Sequence, residues 1–315
     1  MSTGKDSSTI SIIIPTYNRA GLIGRALMSV LNQTYQDFEI IIVDDCSTDN
    51  TQDVAGSFKD ERIIYIYHEK RKGLAGARNT GIKAAGGQYL AFLDDDDEWL
   101  PEKSEKQINK IQVSSDKVGI IYCGVSMISQ KTGRVVDTMH PTVRGNAHVQ
   151  TLRYAVLGGG STPLIKKECF QKVGFFDEDL PYLEDWEMWM RISQYYKFDF
   201  IPDILVKRYI HGYQMTTIPE GKIQAREKIF KKHYDELSKH PLIFADHLNR
   251  LGILCCYDGN LIKARRYFLK SIKKRPMQRF AYFQLLPLIL MPKIYRKMLD
   301  KEITKKSIDG TRLYW

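Results

Sequence analysis

The chain has 315 residues, with 47 Lys plus Arg against 37 Asp plus Glu, and so a formal charge of +10 at neutral pH; it is 43% hydrophobic and 27% charged. That composition excludes an acidic solvating chain and disorder over most of the length, and it allows one large domain or two smaller ones with their own cores. Cys46, Cys123, Cys169, Cys255 and Cys256 form no C-x-x-C pair, which argues against a disulfide framework or structural zinc and points to a reducing, cytosolic setting.

Residues 1–9 are polar, lack an apolar signal region and read as a disordered tail. Ile10-Ser-Ile-Ile-Ile14 and Phe38-Glu-Ile-Ile-Ile-Val43 are short β-branched runs of the kind buried in parallel sheets. Between them Leu22, Ala26, Leu27, Val30 and Leu31 recur at helical spacing. The alternation continues with a helix over Asn50 to Phe58, a strand over Ile63 to Tyr67, a helix over Gly76 to Ala85 and a strand over Tyr89 to Leu93. Strand and helix in this order predict a doubly wound α/β half-domain. A polar helix after Pro101, a strand from Val118 to Tyr122 and a less regular section with a flexible loop at Gly158-Gly-Gly-Ser-Thr162 complete a domain placed at 10–221.

From residue 222 to the end the signals are helical. Leu248, Leu251, Leu254, Ala264, Phe268 and Ile272 mark two amphipathic helices across Asp258-Gly259, similar to a single tetratricopeptide-type hairpin. This part has 22 basic and 8 acidic residues, whereas residues 1–221 are net −4, so the positive charge belongs to a separate helical domain at 222–315. Phe280 to Met291 is too short to span a bilayer, which needs about 20 apolar residues. Lys273-Lys-Arg275, Arg279, Lys293, Arg296 and Lys297 bracket it, a pattern suited to an anionic membrane surface across residues 263–297. No RNA-binding signature accompanies these charges, and no nucleic-acid partner is expected.

Two predicted strands end in acid, at Asp44-Asp45 and at Asp94-Asp-Asp-Asp97. Ligands of open α/β sheets bind beyond the carboxyl ends of the strands, so six carboxylates are expected to face one crevice. Such crowding needs a cation or hydrogen-bond donors, and oxygen-only ligands suit Mg²⁺ or Mn²⁺, whose remaining positions are filled by phosphates and water. A nucleoside diphosphate is the natural partner; neither G-x-x-x-x-G-K-[ST] nor an opening G-x-G-x-x-G is present. Further along, Leu183-Glu-Asp-Trp-Glu-Met-Trp189 places Glu184 and Asp185 at the start of an apolar helix, beside the sugar-stacking kind of surface that Trp186 and Trp189 would offer.

Together, Ile12-Ile-Ile-Pro-Thr-Tyr-Asn18, Val43-Asp-Asp-Cys-Ser-Thr-Asp49, Gly76-Ala-Arg-Asn-Thr-Gly81, Phe92-Leu-Asp-Asp-Asp-Asp97 and Glu184-Asp-Trp186 resemble the family 2 glycosyltransferases of the GT-A fold, over roughly residues 10–216. The resemblance implies a Rossmann-like mixed sheet flanked by helices, and inverting transfer of a sugar from a nucleotide-sugar, usually a UDP-sugar, with Mn²⁺ or Mg²⁺. It places Pro15, Tyr17, Asp45, Arg78 and Asp95 at the nucleotide, and Asp94 and Asp95 at the ribose or donor sugar. Asp96 matches the D-x-D metal ligand, with Asp94 and His211 as further candidates, and Asp185 matches the catalytic base. The acceptor is expected near Gly159, Gly160, Ser161, Glu184 and Trp186, with a lipid-linked, polysaccharide or glycan hydroxyl glycosylated at the inner face of the membrane. A nucleotidyltransferase and a non-catalytic nucleotide-sugar scaffold are the rival readings.

Overall fold

The computed structural model describes residues 9–210 and 219–291. It divides into two compact units, one of residues 9–179 with 184–210, the other of residues 180–183 with 219–291. Residues 1–8, His211, Lys293, Arg296 and Lys297 lie outside the described residues.

In the first unit, β1 (Ile10–Thr16), β2 (Phe38–Asp44), β3 (Ile63–Tyr67) and β4 (Tyr89–Phe92) pair in parallel in the order β3-β2-β1-β4. α1 (Ile23–Leu31), α2 (Thr51–Ser57) and α3 (Gly73–Ala84) are the crossovers. Successive residues of β1 enter different cores, Ile12 and Ile14 packing with Ala26, Leu27 and Val30 of α1, and Ile13 with Ala75, Ala77 and Ile82 of α3. A strand covered on both faces has no polar side, which is why it reads as an unbroken apolar run.

Beyond β4 the sheet becomes mixed and continues β4-β8-β6-β9-β5. β8 (Leu164–Lys166) is antiparallel to β4 and β6, and β5 (Asp97–Trp99) is antiparallel to β9 (Lys197–Ile210). The strand expected to end at Tyr122 extends as β6 over Val118–Ser129, parallel to β9 and antiparallel to β7 (Val135–Met139). Gln107 on α4 (Lys103–Gln112), α5 (His148–Arg153), α6 (Lys167–Val173) and α7 (Glu184–Ile192) complete the flanks. Gln107 Nε2 donates to the carbonyls of Ile121 and Thr162, at 3.0 and 2.8 Å, and so ties α4 to the sheet and to the loop before β8.

The second unit contains α8 (Pro219–Lys232), α9 (Tyr234–Ser238), α10 (Pro241–Tyr257), α11 (Leu261–Lys274) and α12 (Arg279–Leu290). Helices α10 and α11 form the expected hairpin, turned at Gly259 with φ +80° and capped by Asn260, whose side chain accepts from Lys263 N. Its core joins Ile223, Leu251, Leu254, Phe268, Ala281, Leu285 and Leu288. Among the described residues no helix is long and apolar enough to cross a membrane.

Candidate active site

The carboxyl ends of β1, β2 and β4 open on one edge of the first unit, and three segments of the sequence meet there. After β1 the chain turns at Asn18, φ +51°, whose side chain accepts from Thr48 N at 2.7 Å while its own N–H reaches Ser47 Oγ at 2.8 Å. This locks the Pro-Thr-Tyr-Asn turn to the Asp-Cys-Ser-Thr turn. Pro15 itself is buried in β1, paired with Val43. Tyr17 is half-buried with the Arg71 guanidinium 3.8 Å over its ring.

The expectation of six acids around one crevice is corrected. Asp44 is fully buried, accepting from Ser47 N at 2.7 Å and from the Tyr65 hydroxyl. Asp45 accepts from Lys72 N at 2.7 Å and Gly73 N at 2.8 Å, and its Oδ1 lies 2.9 Å from His68 Nδ1. It caps the N-terminus of α3, where a carboxylate offsets unpaired amides. Asp97 is the first residue of β5 and is buried, accepting from Ser161 Oγ at 2.6 Å. Burial pushes its carboxyl up to about 7 although Arg208 opposes the shift. Asp94 and Asp96 remain half-exposed at the edge, and Asp95 lies more deeply between them. Burial first and the neighbouring Asp96 charge second push Asp95 up to about 8, against the pull of Arg19, whose Nε lies 3.8 Å away.

Arg78, buried, and Arg208, partly buried, compensate this charge. Arg78, 2% exposed, donates from Nη2 to Asp94 Oδ1 at 2.7 Å and from Nη1 to Glu184 Oε1 at 2.5 Å. Burial alone would depress it, yet Asp94, Glu184 and Asp185 raise it above the ordinary arginine value. Burial likewise opposes the charge on Arg208, and Asp97, Asp94 and Asp185 outweigh it. Arg208 Nε is 3.6 Å from Asp97 Oδ2. The motif quoted around Arg78 is thereby explained: Asn79 clamps Phe176 through both backbone groups, Thr80 meets His68, and Gly81 leaves room for Ile13, which a Cβ there would approach to 2.4 Å.

The Gly158 to Thr162 loop is pinned rather than flexible. Ser161 is fully buried, its Oγ bonded to Asp97 and accepting from Asp94 N at 3.1 Å, while Thr162 Oγ1 donates to Leu157 O at 2.5 Å. Ser161 therefore braces the acidic turn instead of meeting an acceptor. Gly159 has φ +130° and a Cβ there would lie 2.0 Å from Arg208 Nη2; at Gly160 it would lie 2.8 Å from Arg78 Nη2. Both glycines are where backbone passes directly over the two arginines.

Helix α7 begins after Leu183, whose φ of +63° turns the chain sharply. Glu184 is buried against Arg78 and is pushed up to about 7 by burial, while Asp185 stays half-exposed. Burial raises the Asp185 carboxyl, Arg78 opposes this, and its Oδ1 accepts from Trp186 N at 2.7 Å. The tryptophans give no sugar platform: Trp186 and Trp189 are 2% and 1% exposed, Trp186 Nε1 donates to Thr151 O at 2.6 Å, and Trp189 packs edge-on to Phe176. At α7 helical spacing turns both rings inward, Trp189 into the core beside Met188 and Ile192. Glu184, Asp185, Arg78, Arg208 and Asp94 thus form one electrostatic cluster. Arg208 is the member that the sequence reading missed; its signal was a lone arginine in the strand preceding His211. Among the described residues no group of three His, Cys, Asp or Glu is arranged as a metal centre.

The mixed sheet with an acidic turn beyond β4 has the GT-A fold. The chain belongs to glycosyl transferase family 2, whose model matches residues 11–178. It is 34% identical over 241 residues, 75% of either chain, to an uncharacterized glycosyltransferase of Rickettsia prowazekii. It is 36% identical over 185 residues, 58% of this chain and 69% of the other, to the UDP-Glc:α-D-GlcNAc-diphosphoundecaprenol β-1,3-glucosyltransferase WfaP of Escherichia coli. In fold it is similar to Staphylococcus aureus TarS 1–349 in complex with UDP-GlcNAc, with TM-score 0.66, 20% identity, and 96% and 89% of the two chains covered. Family membership makes the protein a glycosyltransferase, not the nucleotidyltransferase or the scaffold of the rival readings.

Proposed function

We propose that the protein transfers a sugar, with inversion, from a UDP-sugar to a hydroxyl of a lipid-linked or cell-surface glycan acceptor, and that Asp185 is the base. The carrying observation is Asp185 itself, half-exposed at the mouth of α7, raised by burial and held beside Asp94, Arg78 and Arg208. A carboxylate whose pKa is raised by burial is a stronger proton acceptor than an ordinary aspartate. In this reading Asp185 takes the acceptor's hydroxyl proton, and the oxygen attacks the anomeric carbon on the face opposite the departing diphosphate, which inverts the configuration. Arg78 and Arg208 stabilise negative charge as it moves onto the leaving group. Tyr17 and Arg71 face the base, and Asp94 and Asp95 the ribose or sugar.

The donor set at the turn fits a hard divalent cation: Asp94 and Asp96 are half-exposed and offer only oxygen, and Asp97 Oδ1 behind them is buried with no hydrogen-bond partner. Asp96, with Asp94, would hold Mn²⁺ or Mg²⁺, which when bound supplies a Lewis acid to the diphosphate. The solved neighbour from Pyrobaculum calidifontis, TM-score 0.59 and 19% identical, is a mannosyltransferase in complex with GDP-Man and Mn²⁺. The acceptor class draws support from WfaP, named for a diphosphoundecaprenol substrate, and the peripheral membrane location from the basic residues and exposed apolar side chains of α12.

Asp185→Asn tests the assignment. It is expected to lower transfer by about 10²–10⁴-fold while calorimetric binding of UDP is retained; turnover at the wild-type rate would remove Asp185 from the mechanism.

A further inference from the structure

The second unit contains a cavity of about 820 Å³ between α8, α9, α10 and α11, for which the glycosyl-transfer reading has no use. That volume is in the range of sites for small organic ligands. Its floor is apolar, with Phe244, Leu248 and Leu251 buried on α10. Its wall is aromatic: the Phe230 ring stands 4.6 Å from Phe244 and 6.1 Å from Tyr234, both edge to face. Tyr267 closes the side, and its hydroxyl bonds to Glu227.

The mouth is cationic. Lys270, Lys273 and Lys274 follow one another on a single face of α11, and Lys231 stands on α8; all four are exposed. Among the described residues none of them lies within ion-pair distance of a carboxylate. Lys274 Nζ instead lies 4.8 Å over the Phe244 ring, which places an ammonium above the apolar floor. Glu227, the carboxylate among the lining residues, is already engaged by Lys263 at 2.8 Å and by Tyr267. Among the described residues the positive charge at the rim is therefore uncompensated.

An apolar pit beneath four unpaired ammonium groups is complementary to a molecule with a hydrocarbon chain and a compact anionic head. A nucleotide would leave its base edges without partners on Phe244, Leu248 and Leu251, and a neutral chain would make no use of the lysines. We propose that this cavity binds a membrane-derived amphiphile with a phosphate head, its chain on the aromatic floor and its phosphate among Lys231, Lys270, Lys273 and Lys274. The proposal is independent of the chemistry assigned to Asp185.

The test is calorimetric titration of the full chain with dodecyl phosphate, dodecyl maltoside and inorganic phosphate, below the micelle thresholds. Dodecyl phosphate is expected to bind one to one, at least about tenfold tighter than dodecyl maltoside, with inorganic phosphate weaker still. The surface double variant Lys270→Glu, Lys273→Glu is expected to weaken dodecyl phosphate by at least about tenfold at an unchanged melting temperature. Leu248→Phe, which fills the floor, is expected to abolish binding; should it fail to fold, the charge variant and the headgroup comparison still decide. Equal binding of the two dodecyl ligands, no binding of either, or no response to charge reversal would overturn the proposal. So would tighter binding of an acidic peptide, which would give the groove to a protein partner.

Discussion

Asp185 and Glu184 are neighbours in sequence with opposite fates. Glu184 is buried and paired with Arg78, whereas Asp185 keeps a face to solvent. Since burial raises the Asp185 carboxyl, the acid limb of the kcat/KM profile is expected above the ordinary aspartate value of about 3.9. Activity should fall as pH drops through that raised pKa; a limb at or below the ordinary value, measured from pH 3 to 9, would show that another group carries the proton. Lys103 offers a separate check of buried charge. It is fully buried, donating to Gln107 Oε1 at 2.8 Å with its ammonium 3.7 Å over Trp99, and burial lowers it to about 8. The unfolded chain then binds the extra proton between pH 8 and about 10.5, so the lysine's contribution to stability grows as pH rises through that window. Relative to Lys103→Met, the wild type is expected to gain about 2–3 kcal/mol between pH 7.5 and 10.5 in urea melts.

Elements with a single dominant period were legible, and those defined by distant partners were not. β1 and β2 declare themselves by Ile-rich runs, and α1 by Ala26, Leu27 and Val30. By contrast β8 has three residues and exists because β4 and β6 flank it, and β9 carries Pro202 within its 14 residues. The glycine loop read as flexible because three consecutive glycines impose nothing locally; the order comes from Asp97, Asp94 and two arginines that sequence spacing cannot bring near. The tryptophans were misjudged for a similar reason, since composition marks them as aromatic without saying that α7 rolls them inward. The same loop gives a prediction at this scale. Gly159→Ala adds a Cβ at 2.0 Å from Arg208 Nη2, at a φ of +130°. It is expected to destabilise the fold by about 1–3 kcal/mol in denaturant melts and to lower turnover by displacing Arg208; wild-type values of both would refute the close approach.

At the scale of the molecule, the two units have separate hydrophobic cores and opposite charge. α12 buries Ala281, Leu285 and Leu288 but exposes Phe283, Leu286 and Leu290 by 72%, 61% and 65%. A helix apolar on two faces with flanking lysines and arginines is suited to the headgroup layer. Co-sedimentation with liposomes containing anionic lipid is expected at low salt, with loss at high salt and on Phe283→Glu, Leu286→Glu; absence of sedimentation at low salt would remove the membrane from the model.

One guanidinium, that of Arg78, touches Asp94 on one side and, on the other, Glu184, the neighbour of Asp185 in sequence. Under the proposed function an incoming pyrophosphate would compete for it directly, and each hydrogen bond drawn away from Glu184 would alter the field at Asp185. In the proposed mechanism, occupancy of the donor subsite would thereby reach Asp185 before any hydroxyl arrives, which implies a compulsory sequence of substrate addition and a low rate of wasteful donor hydrolysis.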